Sequence, residues 1–365
     1  MKIPLRSAVR SLSVVLCVAG LAIGLGGPGR PAPMSSVNNP FKDTEYADIP
    51  AVQYFASRDG SRLAFREYSA KQVPIRGSVV LIHGSAGRSN SMHVMGRSFA
   101  QAGYLAYALD MRGHGNSGFR GHIDYIGELE NDVEDFMNSV SHPGKTTLVG
   151  FSSGGGFVLR FAASERQKLF SNYLLLSPFL SQDSPTYRPN SGGWVSVGLP
   201  RVIAITVLNT MHITAFNDLP VINFALDEAD RDFLTPQYSF ALEENFRPHR
   251  DYRADIRSAN QPMEVLAGQD DEAFHVERFA EVFRAEGKSV PVTIIPKIGH
   301  IALTLNSIAV QVAVSAVTRL DEISNLPSYP TLKSGAASLS APGNQPPYLT
   351  SRANVRSDRR AACCS

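Results

Sequence analysis

Cysteine is almost missing from this chain, with three residues in 365. So few exclude a disulfide scaffold and a multi-cysteine zinc site. They also lie apart from any recognisable core: Cys17 sits in an apolar N-terminal run, and Cys363 and Cys364 end a polar tail. Charge is sparse too. Asp, Glu, Lys and Arg make up 19% of the residues, below the roughly 25% of an average soluble domain. Glycine (29) and proline (23) are too few for a collagen-like or low-complexity chain, and a hydrophobic share of 43% excludes wholesale disorder. There is no phosphate loop, no dinucleotide fingerprint and no metal cluster, so no cofactor is expected.

The formal net charge of +2 conceals an asymmetry. Residues 1–41 carry Lys2, Arg6, Arg10 and Arg30 and no acid, while residues 325–365 carry Lys333, Arg352, Arg356, Arg359, Arg360 and one acid, Asp358. The 26 basic and 32 acidic residues between them give the body a charge of −6. Nucleic-acid binding needs clustered Lys and Arg to replace phosphate counterions, so no nucleic-acid partner is expected.

Residues 1–30 combine a basic start with the uncharged run Leu12–Gly29. That pattern reads as a signal peptide or a retained N-terminal membrane anchor. A spanning helix needs about 20 apolar residues, and here the dense part is only Leu12–Leu25. Either reading exports the body, and the second adds membrane association. Leu16 before Cys17 argues against lipidation, which wants a small residue there. Residues 31–49 read as a linker. Residues 325–365, rich in Ser, Pro, Ala, Gly and Asn and without apolar periodicity, read as a disordered tail.

The body alternates strand-length apolar runs with helix-length periodic segments. Val52–Ser57 and Leu63–Tyr68 flank a turn at Asp59-Gly60 and read as a hairpin. Ser78–His83, Tyr104–Asp110, Thr146–Phe151, Tyr173–Ser177, Met263–Ala267 and Val290–Ile295 are near-continuous apolar runs, as in strands buried on both faces. Helices are expected over Met92–Ala102, Ile126–Val140, Gly155–Ser164, Val276–Ala285 and Ala302–Leu320. The fold class is α/β: a mostly parallel eight-stranded sheet flanked by helices, with residues 50–181 and 261–322 forming the core. Residues 182–260 break the alternation and read as a mainly helical lid. Chemistry in such sheets gathers at the carboxyl ends of the strands.

Gly150-Phe151-Ser152-Ser153-Gly154 matches G-x-S-x-G between a strand and a helix, the context of a nucleophile elbow. Ser152 is the candidate nucleophile. Ser153 is the poorer one, because the match centred on it lacks the leading glycine. A serine needs a base, and His300 lies just past the last strand, ahead of a long helix. The base needs a carboxylate, offered by Asp271 with Asp270 as neighbour and competitor. The chain order Ser152, Asp271, His300 is that of an α/β-hydrolase. Two oxyanion N–H donors are expected from Ser153 and from Ser85 in the loop His83-Gly84-Ser85-Ala86-Gly87. His83 reads as a buttress of that loop, and His114 in Arg112-Gly113-His114-Gly115 as structural.

Together the segments LIHGSAG, LDMRGHGNS, GFSSGG, AGQDDE and KIGH make the chain resemble the α/β-hydrolase superfamily over about residues 50–322. RGHGNSG, the following Arg120-Gly121-His122 and the acidic helix at 130–136 look like the branch of monoacylglycerol lipases and lysophospholipases, the serine aminopeptidase-like hydrolases. The resemblance implies attack of Ser152 on an ester carbonyl, an acyl-enzyme, and hydrolysis through His300. The chain departs from that branch's commoner G-H-S-M-G elbow in carrying Phe151, Ser153 and Gly154. The reading is an exported serine hydrolase of carboxylic esters, with acyl-lipid esters such as monoacylglycerol or lysophospholipid as substrates. The alternatives are an aminopeptidase or amidase, whose amine would need acids such as Asp227, Glu228, Asp230 and Asp232, and a non-catalytic binding protein on the same fold.

Overall fold

The computed structural model describes residues 17–42 and 44–323; the first sixteen residues of the leader and the expected tail lie outside them. Residues 17–25 are helical (α1), and a short helix α2, Ser35–Asn38, runs into a turn of 3-10 helix at Asn39–Phe41. Among the described residues no helix is long and apolar enough to cross a membrane.

Eight strands form the central sheet. They are β1 (Gln53–Ala56), β2 (Arg62–Tyr68), β3 (Gly77–Ile82), β4 (Tyr104–Leu109), β5 (Lys145–Phe151), β6 (Asn172–Leu176), β10 (Met263–Gly268) and β11 (Val292–Ile295), ordered β1-β2-β4-β3-β5-β6-β10-β11. Only β2 runs against the rest, pairing antiparallel with β1 and β4. All eight expected strands are present within a few residues. Helices α3 (His93–Gln101), α4 (Glu128–Ser139), α5 (Ser153–Ala163) and, late in the chain, α9 (Phe279–Ala285), α10 (Ala302–Leu305) and α11 (Ser307–Ile323) flank the sheet.

Successive side chains of a strand point to opposite faces, which divides the core into two layers. Val79 and Leu81 of β3 pack with Phe99 of α3 and Val317 of α11. Val80 and Ile82 pack with Phe136 of α4 and Phe157 of α5. The segment expected as one helix over Ala302–Leu320 is two. Asn306 turns extended (φ −72°, ψ 129°), and its Oδ1 accepts the N–H groups of Ile308 and Ala309 as the N-cap of α11.

The insertion is helical at α6 (Leu199–Thr210), α7 (Phe240–Asn245) and α8 (Tyr252–Ser258), yet its centre is a three-stranded antiparallel sheet. Strands β7 (Val195–Val197), β8 (Pro220–Phe224) and β9 (Gln237–Ser239) pair in that order. The expectation of a mainly helical lid lacks this sheet. Strands of three to five residues are too short to show a period, and the apolar patch Trp194–Leu208 in fact divides between β7 and α6 at Gly198-Leu199-Pro200. The expected linker is also corrected. Residues 34–42 pack on the insertion, with Met34 N–H donating to Ala225 O at 3.0 Å and Lys42 pairing with Asp227 at 2.9 Å.

One buried ion cluster joins the hairpin to the loop after β4. The Arg112 guanidinium meets Asp132 through Nε and Nη2 (2.9 and 2.8 Å), Asp59 at 2.8 Å and Glu128 at 3.2 Å, and only 8% of its side chain is exposed. Removing one partner of a buried pair strands the others without counter-charge. Arg112→Met is therefore expected to lower unfolding free energy by about 3–5 kcal/mol, read as a shift of the urea midpoint.

Candidate active site

The end of β5 turns into α5 within one residue. Ser152 adopts φ 56°, ψ −118°, a strained conformation that lifts its side chain off the sheet edge. The two motif glycines make the turn possible. A Cβ on Gly150 would lie 2.3 Å from Gly154 O, and one on Gly154 would lie 2.2 Å from His83 O. No side chain fits either place. The start of α5 then points its N–H groups towards the serine, where developing negative charge is favoured.

Ser152, Asp271 and His300 come together in space. His300 Nε2 lies 3.0 Å from Ser152 Oγ, and His300 Nδ1 lies 2.8 Å from Asp271 Oδ2. In this geometry Nδ1–H donates to the carboxylate, leaving Nε2 to accept the serine proton. Asp271 is held in place by Ala273 N–H and Phe274 N–H, which donate to its Oδ1 at 2.8 and 3.0 Å. Asp270 is exposed and makes no contact with the histidine. The rings of Phe151 and Phe274 lie 4.7 and 5.3 Å from the imidazole centroid and shield it. Burial pushes the imidazole towards its neutral form, but the Asp271 carboxylate and, more weakly, Glu272 outweigh it and hold the His300 pKa above its ordinary value. Burial likewise opposes ionisation of Asp271, yet His300 and the donated hydrogen bonds keep its pKa below the usual carboxylate range.

Ser85 and Ser153 both border the same cavity as Ser152. A Cβ on Gly84 would lie 2.9 Å from the Phe151 ring and 3.3 Å from Ser152 Cβ, so the β3 loop passes against Ser152 with its backbone bare. His83 does buttress this loop. Its Nδ1–H donates to Gly84 O at 2.8 Å, and its Nε2 accepts Met111 N–H at 3.2 Å. His114 has a structural position as well: its Nε2 accepts the Tyr238 hydroxyl at 2.6 Å, and that oxygen accepts Ala86 N–H at 2.8 Å. Burial lowers the pKa of both histidines and keeps them neutral.

The insertion supplies contacts that the motifs did not disclose. Tyr238 holds Ala86 N–H, Thr235 N–H donates to Ala86 O at 3.0 Å, and Trp194 Nε1–H donates to Ser85 Oγ at 3.0 Å. Three insertion residues thus brace one loop, and no local pattern around them marks the role. Above the serine lies a cavity of about 420 Å³. Trp194, Ile222, Phe224, Leu226 and Phe233 of the insertion line it, facing Phe274 of the core. Of the acids considered for an amine site, Asp227 pairs with Lys42 and Glu228 with Arg30 and Arg231, while Asp230 borders the cavity.

Residues 73–304 match the serine aminopeptidase S33 family. A monoacylglycerol lipase of Mycolicibacterium smegmatis is 39% identical over 115 residues, 30% of this chain and 40% of the lipase. The protein YnbC of Escherichia coli K12, uncharacterised, is 29% identical over 119 residues, 32% of this chain and 20% of its own length. The chain therefore spans less than half the length of the curated relatives it matches. Among solved structures, a soluble variant of the Saccharomyces cerevisiae monoglyceride lipase superposes with a TM-score of 0.58 at 16% identity, covering 78% of this chain and 99% of that one. A putative aryl esterase of Burkholderia cenocepacia gives 0.53 at 15% identity, covering 75% and 100%. At these identities the likeness is one of fold.

His300 must be neutral to accept a proton, so kcat/KM should rise with pH through an acid limb whose midpoint lies above the ordinary histidine value of about 6.5. Glu272→Gln removes a negative charge that favours the imidazolium, so it should move that midpoint to lower pH; a pH–rate profile reads the shift. Asp271→Asn should cost about 10⁴-fold in kcat, while Asp270→Asn leaves kcat near that of the parent protein.

Proposed function

The chain belongs to the serine aminopeptidase S33 family of α/β-hydrolases, and from that membership we propose that it is a serine hydrolase of carboxylic esters acting on acyl lipids. The observation that carries the reading is the 3.0 Å contact of His300 Nε2 with Ser152 Oγ at an apolar cavity of about 420 Å³. In this proposal Ser152 Oγ attacks the ester carbonyl as its proton passes to His300 Nε2. Asp271 fixes the imidazole and balances the imidazolium charge. The N–H groups of Ser85 and Ser153 receive the oxyanion. The C–O bond to the alcohol breaks as His300 returns its proton to the leaving oxygen. Water, deprotonated by His300, then releases the acid and restores Ser152.

Three features support an acyl-lipid substrate over an aminoacyl amide. The cavity wall is mainly apolar, with Trp194, Ile222, Phe224 and Phe274 in it, as suits an alkyl chain, while its charged Glu243 and Arg247 pair with each other at 3.3 Å. Two of the insertion's four candidate acids are paired with arginine or lysine, which leaves them poorly suited to hold a free ammonium. Helix α6 turns Leu199, Ile203 and Val207 to solvent at a spacing of four residues, continued by Met211 at its C-cap, an apolar stripe suited to a lipid surface. The mycobacterial relative carries the name monoacylglycerol lipase, which points the same way. The basic and apolar leader adds to the proposal a site of action outside the cytoplasm, with the N-terminus as a membrane attachment.

The test is a fluorophosphonate label followed by p-nitrophenyl esters of graded length beside aminoacyl p-nitroanilides. Labelling at Ser152 with ester turnover is the expected outcome. Ser152→Ala should abolish both while leaving the far-ultraviolet circular dichroism and melting temperature unchanged. Turnover of the anilides alone would replace the ester reading with a peptidase one.

A further inference from the structure

The cavity wall extends beyond the family-matched residues. Met34, Val37, Asn38, Phe41 and Tyr46 border it together with Ser152 and His300, although the family match begins only at residue 73. The local sequence explains how this segment comes to face inward. Met34, Val37 and Phe41 stand at positions i, i+3 and i+7, one face of the helical ribbon formed by α2 and its 3-10 extension. Ser35, Ser36 and Asn39 take the exposed face.

Two sets of contacts fix the ribbon across the joint between insertion and core. On the insertion side, Ala225 O accepts both Met34 N–H (3.0 Å) and Asn38 Nδ2–H (2.9 Å). Its neighbours Phe224 and Leu226 line the cavity. Arg30 and Lys42 add ion pairs to Glu228 and Asp227. On the core side, Val37 belongs to the same apolar cluster as Ile301 and Leu303, one and three residues past His300, and Met34 and Phe41 pack against that cluster. The ribbon therefore closes the side of the cavity between the insertion strand β8 and the histidine loop.

We propose that the ribbon Met34–Phe41 is the wall that selects the acyl chain: Met34, Val37 and Phe41 supply the apolar contact that a long alkyl chain makes beyond the ester and that a short one does not reach. The proposal rests on the ester-hydrolase reading for its substrate, but its geometry concerns any alkyl group delivered to Ser152. Each methylene withdrawn from water contributes about 0.8 kcal/mol, so loss of a few such contacts separates long chains from short ones.

The experiment compares labelling rates by ethyl and dodecyl fluorophosphonates on the full chain and on Met34→Ala/Phe41→Ala. Both side chains are half-buried, so truncation leaves the core intact; melting temperature checks this, and Phe41→Leu serves as a conservative control. The expected result is a drop of about tenfold in the dodecyl rate with an unchanged ethyl rate, and recovery of most of the dodecyl rate in Phe41→Leu. An unchanged dodecyl-to-ethyl ratio overturns the wall, as does an equal loss of both rates. Because labelling needs only Ser152 and the cavity, failure of the ester reading shows separately, as labelled protein that turns over no ester of any length.

Discussion

The site depends on a steric constraint at one turn. Ser152 can hold its strained backbone angles only because Gly150 and Gly154, two residues to either side of it, leave no Cβ where β5 and α5 close on each other, and a Cβ on Gly154 would strike the His83 carbonyl. That same closeness brings the β3 loop against the serine. The position of Ser152 and the position of the loop after β3 are therefore one packing decision. The energy that maintains the strain comes from the surrounding sheet, whose central strands are buried on both faces.

The loop after β3 is also where insertion and core become interdependent. Tyr238, Thr235 and Trp194 all belong to the insertion, and all bond to Ser85 or Ala86. A neutral histidine pair completes the arrangement from below, with ring centroids 4.6 Å apart and each ring nitrogen given a partner. Burial disfavours the charged imidazolium at both positions, so the loop is packed on a neutral pair. The insertion is thus a brace as well as a cover.

Much of the core was legible because its signals are strong and local. The apolar runs at Ser78–His83 and Thr146–Phe151 are buried on both faces, and a strand covered by helices on each side requires that composition. The elbow announced itself because its glycines answer a steric need that no other residue meets. What stayed hidden lacks such signals. Strands β7 and β9 have three residues each, too few to display a period. Tyr238 acts through a hydroxyl brought 152 residues along the chain to Ala86, and a lone tyrosine carries no mark of its partner. The ribbon at 34–41 looked like a linker because its apolar face has only three members, and because its burial depends on surfaces that assemble elsewhere.

That ribbon also limits distance. Nine peptide units separate Leu25, at the end of the first helix, from Met34 in the cavity wall. Even fully extended, they span no more than about 30 Å. Whatever grips the chain at Leu25 therefore keeps Met34, and with it that wall of the cavity, within that distance. Under the membrane attachment proposed above, the site would work on a high local concentration of substrate, and turnover there would follow the surface density of substrate more than the amount dissolved in the surrounding water.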